Sequence, residues 1–87
     1  MPHRGDILDT LGWAYLQSGM LTEAEEILRQ AVALAPNHPS IRYHLGVAQY
    51  RLGRKAEAAS ELRRALQICG SFPEASKARE ILKAAEG

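Results

Sequence analysis

One cysteine, Cys69, stands in 87 residues. No internal disulfide is therefore possible, and a lone thiol fits a reducing compartment such as the cytoplasm without assigning one. Neither charge sign dominates: eleven lysines and arginines against ten aspartates and glutamates leave a formal charge of +1. That balance gives no support to electrostatic nucleic-acid binding, which calls for a strongly basic face. No apolar run approaches the roughly 18 residues of a membrane span, and the opening MPHRGD holds no apolar signal core. Proline is scarce and scattered, so the composition is that of an ordinary globular chain rather than a disordered one. Aromatics are few as well, with one tryptophan, three tyrosines and one phenylalanine, which makes their placement informative. A single domain of this size buries only about 60 to 65 per cent of its unfolded surface, and modest stability is expected.

What the chain does have is a period. Residues 39–53, PSIRYHLGVAQYRLG, read as a helix opened by Pro39, closed by Gly53, and interrupted by Gly46. A mid-helix glycine costs roughly 1 kcal/mol against alanine, so something outside the helix must require it. Sliding the chain by 34 residues lays Leu11-Gly12 on Leu45-Gly46 and Gly19 on Gly53. The same offset aligns Ile7 with Ile41, Ala14 with Ala48, Glu23 with Glu57, Ala24 with Ala58, Leu28 with Leu62, Arg29 with Arg63 and Ala31 with Ala65.

With these residues in place, the chain resembles the tetratricopeptide repeat, whose 34-residue period carries a leucine-glycine pair, a later alanine, a large apolar residue and then proline. The first unit, 5–38, has Leu11, Gly12, Tyr15, Ala24, Leu28, Ala31 and Pro36 at the pattern positions. The second, 39–72, has Leu45, Gly46, Ala58, Leu62 and Ala65. It departs from the pattern at Gln49 for tyrosine, Arg42 for tryptophan and Gly70 for proline, and Leu8 replaces the tryptophan of the first unit. The resemblance implies an all-α fold: an α-solenoid of two antiparallel helix-turn-helix units, with 73–87 as a C-terminal capping helix. The whole of 1–87 is expected to be one domain. Such arrays usually need three or more units, so the chain is expected to be a piece of a longer one. It is also similar to the terminal repeats of large bacterial tetratricopeptide proteins, exosortase-associated lipoproteins among them.

Five helices are expected. The first spans about 6–18, with Ile7, Leu8, Leu11, Gly12, Ala14 and Tyr15 as a buried stripe. The second starts at Thr22 in a capping box with Glu25 and turns Ala24, Ile27, Leu28 and Ala31 inward, Ala24 being the expected counterpart of Gly12. The third follows Pro39 to Leu52. The fourth, about 55–68, buries Ala58, Leu62, Ala65 and Leu66 and exposes Glu57, Glu61, Arg63 and Arg64, the Glu61 to Arg64 spacing predicting an attraction. A fifth starts at Pro73 with a thin apolar stripe of Ala75, Ala78, Leu82 and Ala85, as a terminal cap requires.

No catalytic constellation emerges. The carboxylate pairs Asp6/Asp9 and Glu25/Glu26 read as first-turn helix charges. His3, His38 and His44 never fall at i and i+4, so neither a metal site nor a cofactor is expected. Cys69 ends a helix, where the dipole would raise its thiol pKa, and reads as a small apolar filler. There is no phosphate loop and no serine elbow, and an enzyme is not expected.

The expected function is a non-catalytic protein-protein interaction module. In stacked helix pairs the first helices line the concave side. By the register of the resemblance that side carries Asp9, Trp13 and Gln17 from the first unit, Tyr43, His44, Val47, Tyr50 and Arg51 from the second, and Lys77 from the cap. Trp13, Tyr43 and Tyr50 are the expected anchors, because large amphipathic rings favour docking. Some members of the family hold a terminal carboxylate with lysine and asparagine. Asp9 and Trp13 occupy those places here, so an acidic tail is not the expected guest and a segment with aromatic or aliphatic anchors is. The alternative is structural: the units terminate a larger solenoid, or associate with a second copy, and bind no ligand of their own.

Overall fold

The computed structural model describes residues 4–87, so His3 lies outside the described residues. Five helices follow one another: α1 Arg4–Gln17, α2 Leu21–Leu34, α3 Pro39–Arg51, α4 Lys55–Ile68 and α5 Ala75–Glu86. Among the described residues there is no strand.

The turn inside each hairpin is the same turn twice. Gly19 and Gly53 take the left-handed backbone, at φ 78° and 83°. In the first hairpin Gly19 N–H bonds Leu16 O and Met20 N–H bonds Tyr15 O; 34 residues later Gly53 bonds Tyr50 O and Arg54 bonds Gln49 O. These paired bonds satisfy the last carbonyls of α1 and α3 in a Schellman motif, which only glycine closes without strain.

The mid-helix glycines have an equally plain cause. A Cβ on Gly12 would lie 2.5 Å from Leu28 Cγ, and one on Gly46 would lie 2.9 Å from Leu62 Cγ. Each glycine is the hole into which the leucine of the partner helix fits. The counterpart of Gly12 is therefore Leu28, where the sequence pointed to Ala24, and the helices close by a large residue entering a gap. Leu28, Leu62, Ala24, Ala31, Ala58 and Ala65 are all fully buried.

Two expected local features differ. The Thr22–Glu25 capping box is absent: α2 begins one residue earlier, at Leu21, with Met20 at the cap and no side-chain cap bond. Glu25 instead turns toward two arginines, which offer a charged partner that a hydroxyl and a backbone N–H cannot match. Pro73 lies in a turn, and α5 starts at Ala75. At α3 the cap is stronger than the sequence indicated, because His38 Nδ1 accepts from Ile41 N–H at 3.4 Å ahead of Pro39.

α1 packs on α2, α2 on α3, α3 on α4 and α4 on α5, while α1 also touches α3 and α3 touches α5. The odd-numbered helices thus form one layer and the even-numbered helices the other. The even layer is tied by side chains: Arg29 donates to Glu25 at 2.9 Å and to Glu57 at 3.1 Å, and Arg54 donates to the second oxygen of Glu25. Glu61 pairs with Arg42 across to α3 at 2.9 Å, and not with Arg64 as its spacing predicted. Arg42 also reaches Pro36 O, a stronger pairing than two neighbours on one wet helix face provide.

The expected stripe of α1 is largely uncovered: Ile7, Leu11 and Ala14 are exposed, and Gly5, Gly12 and Leu16 are the buried residues. Helix periodicity finds an apolar face but not what lies against it.

Candidate partner-binding face

α1, α3 and α5 present a common face, and its centre is His44. His44 Nδ1 donates to Asp9 Oδ1 at 2.7 Å, joining α3 to α1. On its other edge Nε2 stands 3.9 Å from Glu74 Oε2, just before α5. Ser40, one turn earlier on α3, donates to Glu74 Oε1 at 2.8 Å. The Trp13 ring rests on the imidazole with centroids 4.4 Å apart. Three helices are thereby tied through one ring, and the indole is held on a polar support rather than by the core alone.

Of the residues the sequence placed here, Asp9, Trp13, His44 and Tyr50 are partly buried, while Gln17, Arg51 and Lys77 are exposed. Arg51 donates to Leu16 O at 3.3 Å, which fixes its position across the α1 terminus. Tyr43 and Val47 are corrected. Tyr43 is 4% exposed and Val47 6% exposed, so neither offers a ring or a branch to a guest. The cause for Tyr43 is Phe72, whose ring lies 6.4 Å away in the turn before α5. Burial, and then the charge of Glu74, raise the Tyr43 hydroxyl pKa.

Two residues were missed. Glu74 follows Pro73 as Ser40 follows Pro39, so the 34-residue offset already put it on this face. Phe72 had no such signal, since it falls in an irregular turn opposite His38 of the preceding period. Gln49, standing where the pattern has tyrosine, is 2% exposed and its Oε1 has no hydrogen-bond partner.

The opposite layer is a structural ion network. Burial alone would raise the Glu25 carboxyl, but the Arg54 hydrogen bond, with the charge and hydrogen bond of Arg29, outweighs it and holds the group below the usual carboxylate value. Cys69 is also corrected. Its thiol pKa is lowered by the Ser71 backbone N–H and then by the Ser71 hydroxyl, which together outweigh the opposing effect of desolvation. Among the described residues no group of three or more His, Cys, Asp and Glu has metal-holding geometry, and no helix is long and apolar enough to cross a membrane.

Paired helices with a twice-repeated glycine-leucine joint and a shared odd-helix face agree with a profile described as Tetratricopeptide repeat, which matches residues 10–76. The chain belongs to the tetratricopeptide-repeat family. It is also similar to Protein POLLENLESS 3-LIKE 2 of Arabidopsis thaliana, 38% identical over 58 residues. That match takes in 67% of this chain and spans 13% of the plant protein's length. Neither comparison bears on the likeness to bacterial proteins. Tetratricopeptide repeats typically form non-catalytic scaffolds that bind proteins or peptides.

Proposed function

We propose that this chain is a non-catalytic protein-binding module that takes a partner segment on its α1–α3–α5 face, with 5–38 and 39–72 as repeats and 73–87 as the cap. The observation that carries the reading is the Trp13 ring seated on His44, which Asp9 grips from one side and Glu74 flanks on the other. A large ring held in place before the guest arrives loses little freedom on binding, and such aromatics are where interface energy concentrates. Trp13 and Tyr50 are the anchors; Gln17, Arg51 and Lys77 supply polar contacts around them. The guest is a segment with an aromatic or aliphatic anchor beside a carboxylate, the latter drawn by Arg51 and Lys77. The polar groups beside the ring serve to join helices: His44 Nδ1 donates to Asp9 of α1 and Ser40 Oγ donates to Glu74 ahead of α5.

Panning a random peptide library on the folded protein tests this, with the single tryptophan as reporter. Selected peptides are expected to shift Trp13 emission in the wild type, and by anisotropy of a dye-labelled peptide Trp13→Leu or Tyr50→Ala is expected to weaken binding by about tenfold or more, equivalent to about 1.4 kcal/mol. Arg64→Ala on the even layer is expected to leave them unchanged. Binders indifferent to Trp13 and Tyr50 would overturn the assignment of the face.

A further inference from the structure

The two layers choose their cations differently. Among the described residues, every ion pair that involves α2, α4 or the Arg54 cap uses arginine: Arg29 with Glu25 and Glu57, Arg54 with Glu25, Arg42 with Glu61, and Arg63 with Glu86. Every ion pair among the odd helices and the turns leading into them uses histidine: His38 with Asp6 at 3.8 Å, His44 with Asp9 at 2.7 Å, and His44 with Glu74 at 3.9 Å. Arginine does not lose its charge in proteins, whereas histidine as a residue type changes charge between about pH 5 and 8. The layer that carries the partner-binding face is therefore the one whose ties respond to pH near neutrality.

His44 is the centre of that response. An ionised carboxylate only accepts, so Asp9 holds a proton on Nδ1. In the neutral ring Nε2 is then a lone pair set toward Glu74 Oε2, acceptor against acceptor, while Glu74 Oε1 takes the Ser40 hydroxyl. A proton on Nε2 turns that opposition into attraction, strengthens the bond to Asp9, and puts a cation against the Trp13 indole, whose centroid lies 4.4 Å away. The His44 and Asp9 side chains are only 12% and 18% exposed, so water screens these gains weakly. The other charged groups near the ring look elsewhere. Tyr43, its neighbour on α3, has its hydroxyl in the field of Glu74, Arg51 and Glu80; α4 meets α3 through Glu61 on Arg42; and Glu25 and Arg29 of α2 turn to Arg54 and Glu57.

We propose that His44 is a proton-operated tie: in its charged form it draws α1 and the turn ahead of α5 onto α3 beneath Trp13, and the face then holds its guest more tightly at about pH 5.5 than at about pH 8. The inference rests on the α1–α3–α5 face being the binding face, and adds what governs its grip. A ring fixed more firmly before the guest arrives loses less freedom on binding. Guest and proton are then linked, each favouring the other.

The first arm of the test needs no guest. Trp13 emission of the 87-residue chain, titrated from about pH 5.5 to about pH 8, is expected to fall on the acid side as the ring against it gains charge, and His44→Asn, which keeps a donor for Asp9, is expected to flatten the curve. The second arm uses dye-labelled, N-terminally acetylated, histidine-free peptides selected on the protein. Their affinity is expected to be about fivefold or more higher at the acid end, at the lower end of typical coupling between sites. That ratio is expected to drop to within about twofold in His44→Asn and in Glu74→Gln, and to persist in His38→Asn, whose exposed pair with Asp6 is the looser one and whose cap asparagine can supply. A flat emission curve in the wild type, or one that survives His44→Asn, overturns the tie whatever the peptides do. Binding through Trp13 with no pH ratio, or a ratio lost in His38→Asn and kept in His44→Asn, overturns the control assigned to His44. Binders indifferent to Trp13 overturn the face itself, and the emission curve then decides the tie alone.

Discussion

Between Gly12 and Leu28 of the first hairpin, and between Gly46 and Leu62 of the second, the same close joint is built twice, below the same left-handed glycine turn. Outside that joint the hairpins part. Where the second has the Arg42–Glu61 ion pair, the first has Leu8 and Ile27 at the matching positions, a charged pair exchanged as a unit for an apolar one. Arg29 and Arg63 match in sequence, yet Arg29 ties α2 to Glu57 of the next hairpin while Arg63 ties α4 to Glu86 of α5 at 2.9 Å. The lesson is that the inward half of each hairpin is set by its own sequence, and the outward half by whichever element stands next.

Five measurements would break or sharpen that comparison. The largest effect belongs to the shared joint: Leu28→Ala and Leu62→Ala are each expected to cost about 2 to 5 kcal/mol in urea or thermal unfolding. Near-equal losses support two equivalent joints; a large loss at one and a small loss at the other breaks the equivalence. Next comes the asymmetry of the flanks, where Ile41→Ala should lose a similar 2 to 5 kcal/mol while Ile7→Ala stays within about 0.5 kcal/mol.

Gly46→Leu is expected to destabilise by about 1 to 3 kcal/mol through overpacking against Leu62, even though helix propensity favours it by close to 1 kcal/mol. A stabilised variant would remove the close-approach account of both glycines. Glu25→Gln should cost about 1 to 2 kcal/mol, less than a fully buried pair because both arginines are half exposed. Its pH dependence has a definite sign. The folded carboxyl lies below its ordinary 4.5, so its stabilisation is present above that value and is lost as pH falls through the lower folded value. Acid titration of wild type against Glu25→Gln should therefore converge in stability below pH 4.5. Smallest of all, Arg63→Ala should change stability by less than about 1 kcal/mol, since the arginine and Glu86 are both about half exposed.

Much of the fold was legible because its signals are local or strictly periodic. Gly19 and Gly53 announce left-handed turns, Pro39 opens a helix, and a glycine in mid-helix announces a close approach, although the sequence pointed to Ala24 where Leu28 is the residue that enters. The face was legible in part. The register implied by the family resemblance put Asp9, Trp13 and His44 on one side, and the 34-residue offset held Glu74 too for a reader who continued the count past Pro73. It could not foresee that Phe72 would bury Tyr43, because an irregular turn has no register from which to project a side chain.

The chain by itself determined that there are five helices in two like hairpins, turned at Gly19 and Gly53 and crowded at Gly12 and Gly46, because those depend on backbone freedom and side-chain volume within one hairpin; that Leu28 and not Ala24 enters the gap at Gly12 appeared only in the packed structure. Only the tertiary arrangement decided that Glu25 faces Arg54 rather than its own helix cap, that Ile41 is dry while Ile7 is wet, and that His44 gathers one carboxylate from α1 and another from the turn ahead of α5. Charge pairing and burial are properties of neighbours far apart in sequence, and a periodic pattern names the residues that repeat without naming what each copy will meet.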